Sequence, residues 1–163
     1  MQLNGLIHTF PKHIKMFIAA FVIVLSICYC SGLLFVSETN SNTPRGMEEN
    51  YLGNEEDELA AVMKFKKSER EMLTILHNHI LSISFIFFFL GVLLAITSIP
   101  KKLKSFLMIE PFISIILTFG GIYFMWKGLI WMKYIVMISG LIMTVVFITS
   151  SLLILFQLMK KEH

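Results

Sequence analysis

The sequence predicts an all-α membrane protein: a four-transmembrane-helix up-down bundle with one acidic extracytoplasmic segment between helices 1 and 2. Three observations predict it. The 163 residues are 56% hydrophobic and only 15% charged, against about 45–50% and about 25% in a soluble domain. The apolar excess is gathered in runs long enough to cross about 30 Å of hydrocarbon. Nine of the eleven acidic residues lie between positions 37 and 75. The net charge of +3 does not speak for nucleic acid, because Lys and Arg flank the membrane runs, where topology accounts for them. The lipid bilayer is the first partner.

Residues 1–15 are a short N-terminus carrying Lys12 and Lys15. Residues 16–36 form the first span, without a charge. A secretory core is only about 7–15 residues and precedes a small-x-small site; none follows Val36, so a retained helix is expected. Residues 37–67 are the acidic segment. Its start is rich in turn formers, and Tyr51, Leu52, Leu59, Ala60, Val62, Met63 and Phe65 are enough apolar residues to pack on a partner or on the bundle mouth.

Residues 68–99 hold the second span. Ser68-Glu69-Arg70-Glu71 reads as a capping box, in which the serine accepts from the Glu71 amide and the glutamate reaches back. A helix from there to Pro100 is about 46 Å long at 1.5 Å per residue, so its first turns stand in the interface, with His77 to His79 near the boundary. Residues 100–105 read as a tight basic loop with Lys101, Lys102 and Lys104. Residues 106–126 are the third span. Pro111 lacks a backbone donor, which predicts a kink or a helix beginning there. Residues 127–130 are a turn, 131–159 the fourth span, and 160–163 the tail.

Orientation follows from Lys and Arg near the spans. Alternation puts Lys12, Lys15, Lys101, Lys102, Lys104, Lys160 and Lys161 on one side, which predicts cytoplasmic N- and C-termini. Lys64, Lys66, Lys67, Arg70, Lys127 and Lys133 fall outside in this arrangement and oppose it. Trp126 and Trp131 then mark the outer interface.

Helices in lipid pack through small and weakly polar residues. The second span offers His77, Ser84, Gly91 and Ser98 at heptad spacing. The third offers Glu110, Ser114, Thr118 and Gly121, and the fourth Gly140, Thr144 and Ser151. These stripes are expected to face inward. His79 lies about 200° round the helix from His77, so His77 is the histidine expected to point into the bundle.

Three groups carry candidate chemistry. His77 and His79 suit haem iron or copper, or are histidines with a polar edge kept in water. One regular helix does not aim both at one metal, and His8, His13 and His163 fall on the opposite side, so haem b needs a further ligand from a methionine, a dimer partner or another subunit. Cys28 and Cys30 lie level with the histidines and would make a soft copper site, or are small apolar residues. Glu110 either snorkels or pairs with Lys104, or faces inward beside Ser114 on a proton or cation path. The chain has no Walker loop, dinucleotide fingerprint, zinc-protease helix or nucleophile elbow.

The segment Gly46-Met47-Glu48-Glu49-Asn50-Tyr51-Leu52-Gly53, then Phe65-Lys66-Lys67-Ser68 and Leu76-His77-Asn78-His79 before an apolar span, resembles an uncharacterised bacterial four-span inner-membrane protein family. That family has a Gly-x-x-Glu-x-Tyr-x-Gly segment, a Lys-Ser step and a His-x-His start to a helix. The resemblance covers about residues 44–150 and implies a multi-pass protein of the bacterial inner membrane. Two functions are weighed. One is a non-enzymatic accessory or interaction subunit of a larger membrane complex, beside other membrane subunits or as a homo-oligomer, because short loops leave little room for a catalytic site. The other is a redox or metal-handling protein with haem or copper on His77 or His79.

Overall fold

The computed structural model describes residues 4–57, 60 and 62–160. Glu58, Leu59 and Ala61 of the acidic segment and residues 161–163 of the tail lie outside them. The described residues are helical, with no strand among them. The helices α1 (Lys12–Glu38), α3 (Glu69–Ala95), α4 (Lys101–Trp126) and α5 (Met132–Met159) are each long and apolar enough to cross a membrane. The short helix α2 (Pro44–Leu52) lies in the acidic segment.

Local chemistry sets the helix ends. At the end of α1, Asn40 takes the left-handed conformation with φ 55°. The Ser41 and Asn40 amides then donate back to the Val36 and Ser37 carbonyls at 2.9 and 3.0 Å, a Schellman closure. Thr43 caps α2 by accepting from the Gly46 amide at 3.0 Å, with Pro44 in the first turn. The capping box of α3 is formed: the Ser68 amide donates to Glu71 Oε2 at 2.7 Å, and Ser68 Oγ accepts from the Glu71 amide at 3.4 Å. At the end of α4, Gly128 at φ 113° closes a second Schellman turn, with the Leu129 amide on the Phe124 carbonyl at 2.9 Å.

Two boundaries differ from the sequence reading. α3 stops at Ala95, a turn before Pro100. The N-terminal strap explains this, because the Gly5 and Ile7 amides donate to the Thr97 and Ile96 carbonyls at 3.4 and 3.1 Å. Ile7, in the 3₁₀ turn Leu6–Thr9, is fully buried. The basic stretch after Pro100 is the first turn of α4 rather than a loop. Lys104 Nζ donates to the Ala95 and Thr97 carbonyls at 3.1 and 2.7 Å, covering the negative end of α3. α4 itself continues through Pro111.

The core lies between α3, α4 and α5, with Phe87, Leu90 and Leu94 against Ile115, Phe119 and Met125 and against Val136, Val146 and Ile154. α1 adds only Ile18 and Val22 to the buried set. It meets α5 through Tyr29, stacked on Phe147 at 3.9 Å, and α3 through Phe21 edge-on to Phe89 at 6.0 Å. Outward-facing Phe17, Val24, Ile27, Leu34 and Phe35 are exposed, which in a bilayer is lipid contact. α4 and α5 approach through small residues. A Cβ on Gly121 would stand 2.7 Å from Val136 Cγ2, and Thr118 Oγ1 and Ser139 Oγ share a 2.7 Å hydrogen bond.

Candidate functional site

The acidic segment is folded into a cap over one end of the bundle. α2 buries Gly46 and Met47. A Cβ at Gly46 would fall 2.0 Å from the Asn40 carbonyl oxygen, so only glycine lets α2 turn back so closely on α1. Arg45 clamps the cap, donating to Glu49 Oε1 and Asp57 Oδ2 at 2.7 Å each. The hydrogen bond to Glu49, and then the two negative charges, raise the Arg45 pKa above its ordinary value. Gly53 adopts φ 86°, and a Cβ there would stand 2.8 Å from the Lys64 carbonyl.

Asn54 then closes the loop. Its Oδ1 accepts from the Lys64 amide at 2.6 Å and its Nδ2 donates to the Val62 carbonyl at 3.0 Å. The Lys67 amide returns to the Tyr51 carbonyl at 3.1 Å. Tyr51 packs against the core, and burial pushes its phenol pKa up. So Gly46, Glu49, Tyr51 and Gly53 each have a structural task in the cap.

The cap is fastened to the spans. Trp126 Nε1 donates to the Lys67 carbonyl at 2.9 Å, and the Lys66 and Lys127 ammonium groups stand 5.4 and 4.7 Å from the Trp126 ring. Lys133 pairs with Glu48 at 2.6 Å and Lys127 with Glu69 at 3.2 Å. The Glu69 hydrogen bond raises the Lys127 pKa. Above these anchors the loop turns Val62, Met63 and Phe65 outward, 67%, 55% and 69% exposed.

His77 and His79 are both exposed. His77 lines an open groove of about 660 Å³ with Glu69, Arg70, Leu73, Thr74 and Asn78, rather than pointing into the bundle. His79 is the histidine nearer another span: its Nδ1 is 2.8 Å from the Ile75 carbonyl and its ring is 5.5 Å from Phe119. Cys28 and Cys30 are free and exposed on α1. Among the described residues no three His, Cys, Asp or Glu side chains gather as metal ligands.

The small-residue stripes are divided between neighbours. Gly91 is buried near Met108 of α4, and Ser84 is half-buried. Ser114 and Thr118 are buried on the α5 side of α4. A Cβ on Gly140 would meet open space. Thr144 bonds the Tyr29 hydroxyl of α1 at 3.2 Å. Ser114 donates to Glu110 Oε1, while Glu110 Oε2 is buried without a partner among the described residues. Glu110 therefore pairs with Ser114 and not with Lys104, whose ammonium is held by Asn4, Ala95 and Thr97.

Arg45, Asn54, Trp126 and Lys104 carry roles that the sequence reading did not assign. The one local signal was Thr43-Pro44, a cap followed by proline, which marks the start of α2.

The four spans and their cap define a small multi-pass membrane protein. The chain belongs to the family described as a transmembrane helical domain, whose model matches residues 41–163. That stretch takes in the cap and the three spans after it, while α1 precedes it. No curated protein and no solved structure matches the chain.

Proposed function

We propose that the protein is a non-enzymatic interaction subunit of a larger membrane complex, docking through its cap. On this reading it sits in the bacterial inner membrane with both termini in the cytoplasm and the cap outside, as the Lys and Arg distribution favours. The observation that carries this reading is the Val62–Met63–Phe65 patch. These apolar side chains are held outward at the water-facing end of the bundle, on a loop whose backbone Asn54 pins at both Val62 and Lys64. Exposed apolar groups on a rigid platform lose little conformational freedom on docking, which favours affinity, and aromatic and methionine side chains are enriched at interface centres. Lys64 and Lys66 interleave with them, which suits a partner segment that is apolar with acidic flanks.

Native electrophoresis of the full chain from mild detergent tests this. The wild type is expected to migrate with a partner subunit, and the double variant Val62→Ser/Phe65→Ser to migrate alone with an unchanged melting temperature. A wild type that runs as a lone monomer contradicts the proposal.

Haem or copper on His77 or His79 is the second functional class. It requires a further ligand from a methionine, a dimer partner or another subunit, since each histidine is exposed on α3. A Soret band or stoichiometric copper in the purified protein, lost in His77→Ala or His79→Ala, would establish it.

A further inference from the structure

The α4–α5 interface contains a layer of oxygen atoms that the fold leaves unmatched. Glu110 sits nine residues beyond the start of α4, about 14 Å along the helix at 1.5 Å per residue and so at hydrocarbon depth. Ser114 satisfies Oε1, but Oε2 is buried and accepts nothing from the described residues.

Thr118 opposite Ser139 and Gly121 opposite Val136 set the register of the two antiparallel helices. Continued toward the basic end, that register puts Glu110 level with Phe147 and within one turn of Ser150. Ser150 is 1% exposed, and its hydroxyl is also unpartnered. The same register puts Leu107 level with Ser150. Pro111 has no N–H to give the Leu107 carbonyl, which is thereby left without its helical donor. Among the described residues a carboxylate oxygen and a hydroxyl thus lack partners, and a carbonyl in the same layer lacks its helical donor.

Among the described residues no cation pairs with that carboxylate. Residues 16–36 of α1, 80–95 of α3 and 134–159 of α5 contain no Lys, Arg, His, Asp or Glu. Lys104, the nearest base along α4, is turned to Asn4 and the end of α3. Tyr29, the nearest titratable group on α1, shares its hydroxyl hydrogen bond with Thr144. Glu110 is half-buried, but burying one carboxylate oxygen without a counter-charge is still costly, and an acid at membrane depth marks an ion or proton site by default.

We propose that Glu110, Ser150 and the Leu107 carbonyl bind one small monovalent cation, Na⁺ or a hydrated proton. Oxygen donors suit a hard cation. One carboxylate, with no second acid in residues 16–36, 80–95, 101–126 or 134–159, matches a single positive charge.

The test is carbodiimide labelling of the full chain in lipid nanodiscs, read by intact mass and peptide mapping. Dicyclohexylcarbodiimide is expected to modify Glu110 in the wild type and to leave that position unmodified in Glu110→Gln. If sodium is the ligand, NaCl but not choline chloride slows labelling about tenfold once sodium is about tenfold above its Kd. If the ligand is a proton, sodium has no effect and raising the pH suppresses labelling. Ser150→Ala retains the carboxylate and is expected to weaken whichever protection is seen. A wild type that gains no adduct at Glu110 at any pH overturns the proposal, as does labelling that neither sodium nor pH alters.

Discussion

The two ends of the bundle treat their polar groups in opposite ways. At the cap end they are matched. Thr118 meets Ser139, Trp126 meets the Lys67 carbonyl, Lys133 meets Glu48 and Lys127 meets Glu69. Toward the basic end, Glu110 Oε2, Ser150 Oγ, Ser151 Oγ and, in the N-terminal strap, His8 Nδ1 are buried without partners among the described residues. Yet the backbone there is well secured, by the Lys104 contacts and by Gln157 Oε1 accepting from the Ser98 amide at 2.8 Å. Three of these four atoms are side-chain oxygens of α4 and α5, at an end whose backbone is secured. Matched groups specify structure, whereas unmatched ones at membrane depth keep their capacity for a ligand.

Substitutions that break the matched end have the largest expected effect. Gly46→Ala drives a methyl group into the Asn40 carbonyl, a backbone atom held in the turn after α1. It is expected to cost about 3 kcal/mol, at the upper end for overpacking, and to open residues 44–67 to limited proteolysis. Gly121→Val is expected to cost about 1–3 kcal/mol, because the neighbour it strikes, Val136, is stiff at χ1; thermal unfolding in detergent checks it. Thr118→Val removes one buried hydrogen bond between spans and should cost only about 0.6 kcal/mol in the same assay. Glu110→Gln removes no matched contact of Oε2 and leaves an acceptor for Ser114. It is expected to leave the melting temperature unchanged or to raise it, and a large fall would place Glu110 with the matched groups and erase the contrast.

Much of this was legible in the sequence. The spans follow from run length and charge, and the capping box at Ser68 from four consecutive residues. Other features were legible only in part, because they depend on neighbours. The heptad through His77, Ser84 and Gly91 marks a stripe, but not how far the helix is turned. Met72, Phe87, Leu90, Gly91 and Leu94 take the inward position on α3, so Gly91 of that stripe is buried while His77 is left on a groove. On α5, the stripe of Gly140 and Thr144 lies one residue away from the face that meets α4, which is that of Ser139, Met143, Val146 and Ser150. Thr144 turns to Tyr29 of α1 instead. α2 was hidden because nine residues with little apolar content fall short of the window of about 11–18 residues over which a helical period is read. The Asn54 clasp joins residues eight and ten apart through side-chain geometry, which no local pattern encodes.

The proposal that the cap is a docking platform is tested most directly by photo-crosslinking in intact membranes, with a crosslinking amino acid at Phe65 and, as a control, at lipid-facing Phe35 of α1. Position 65 is expected to give one discrete protein adduct, with a partner subunit or a second copy of this chain, and position 35 to give lipid adducts. Lipid adducts alone from both positions would show that Phe65 merely dips into the membrane surface and would contradict the account.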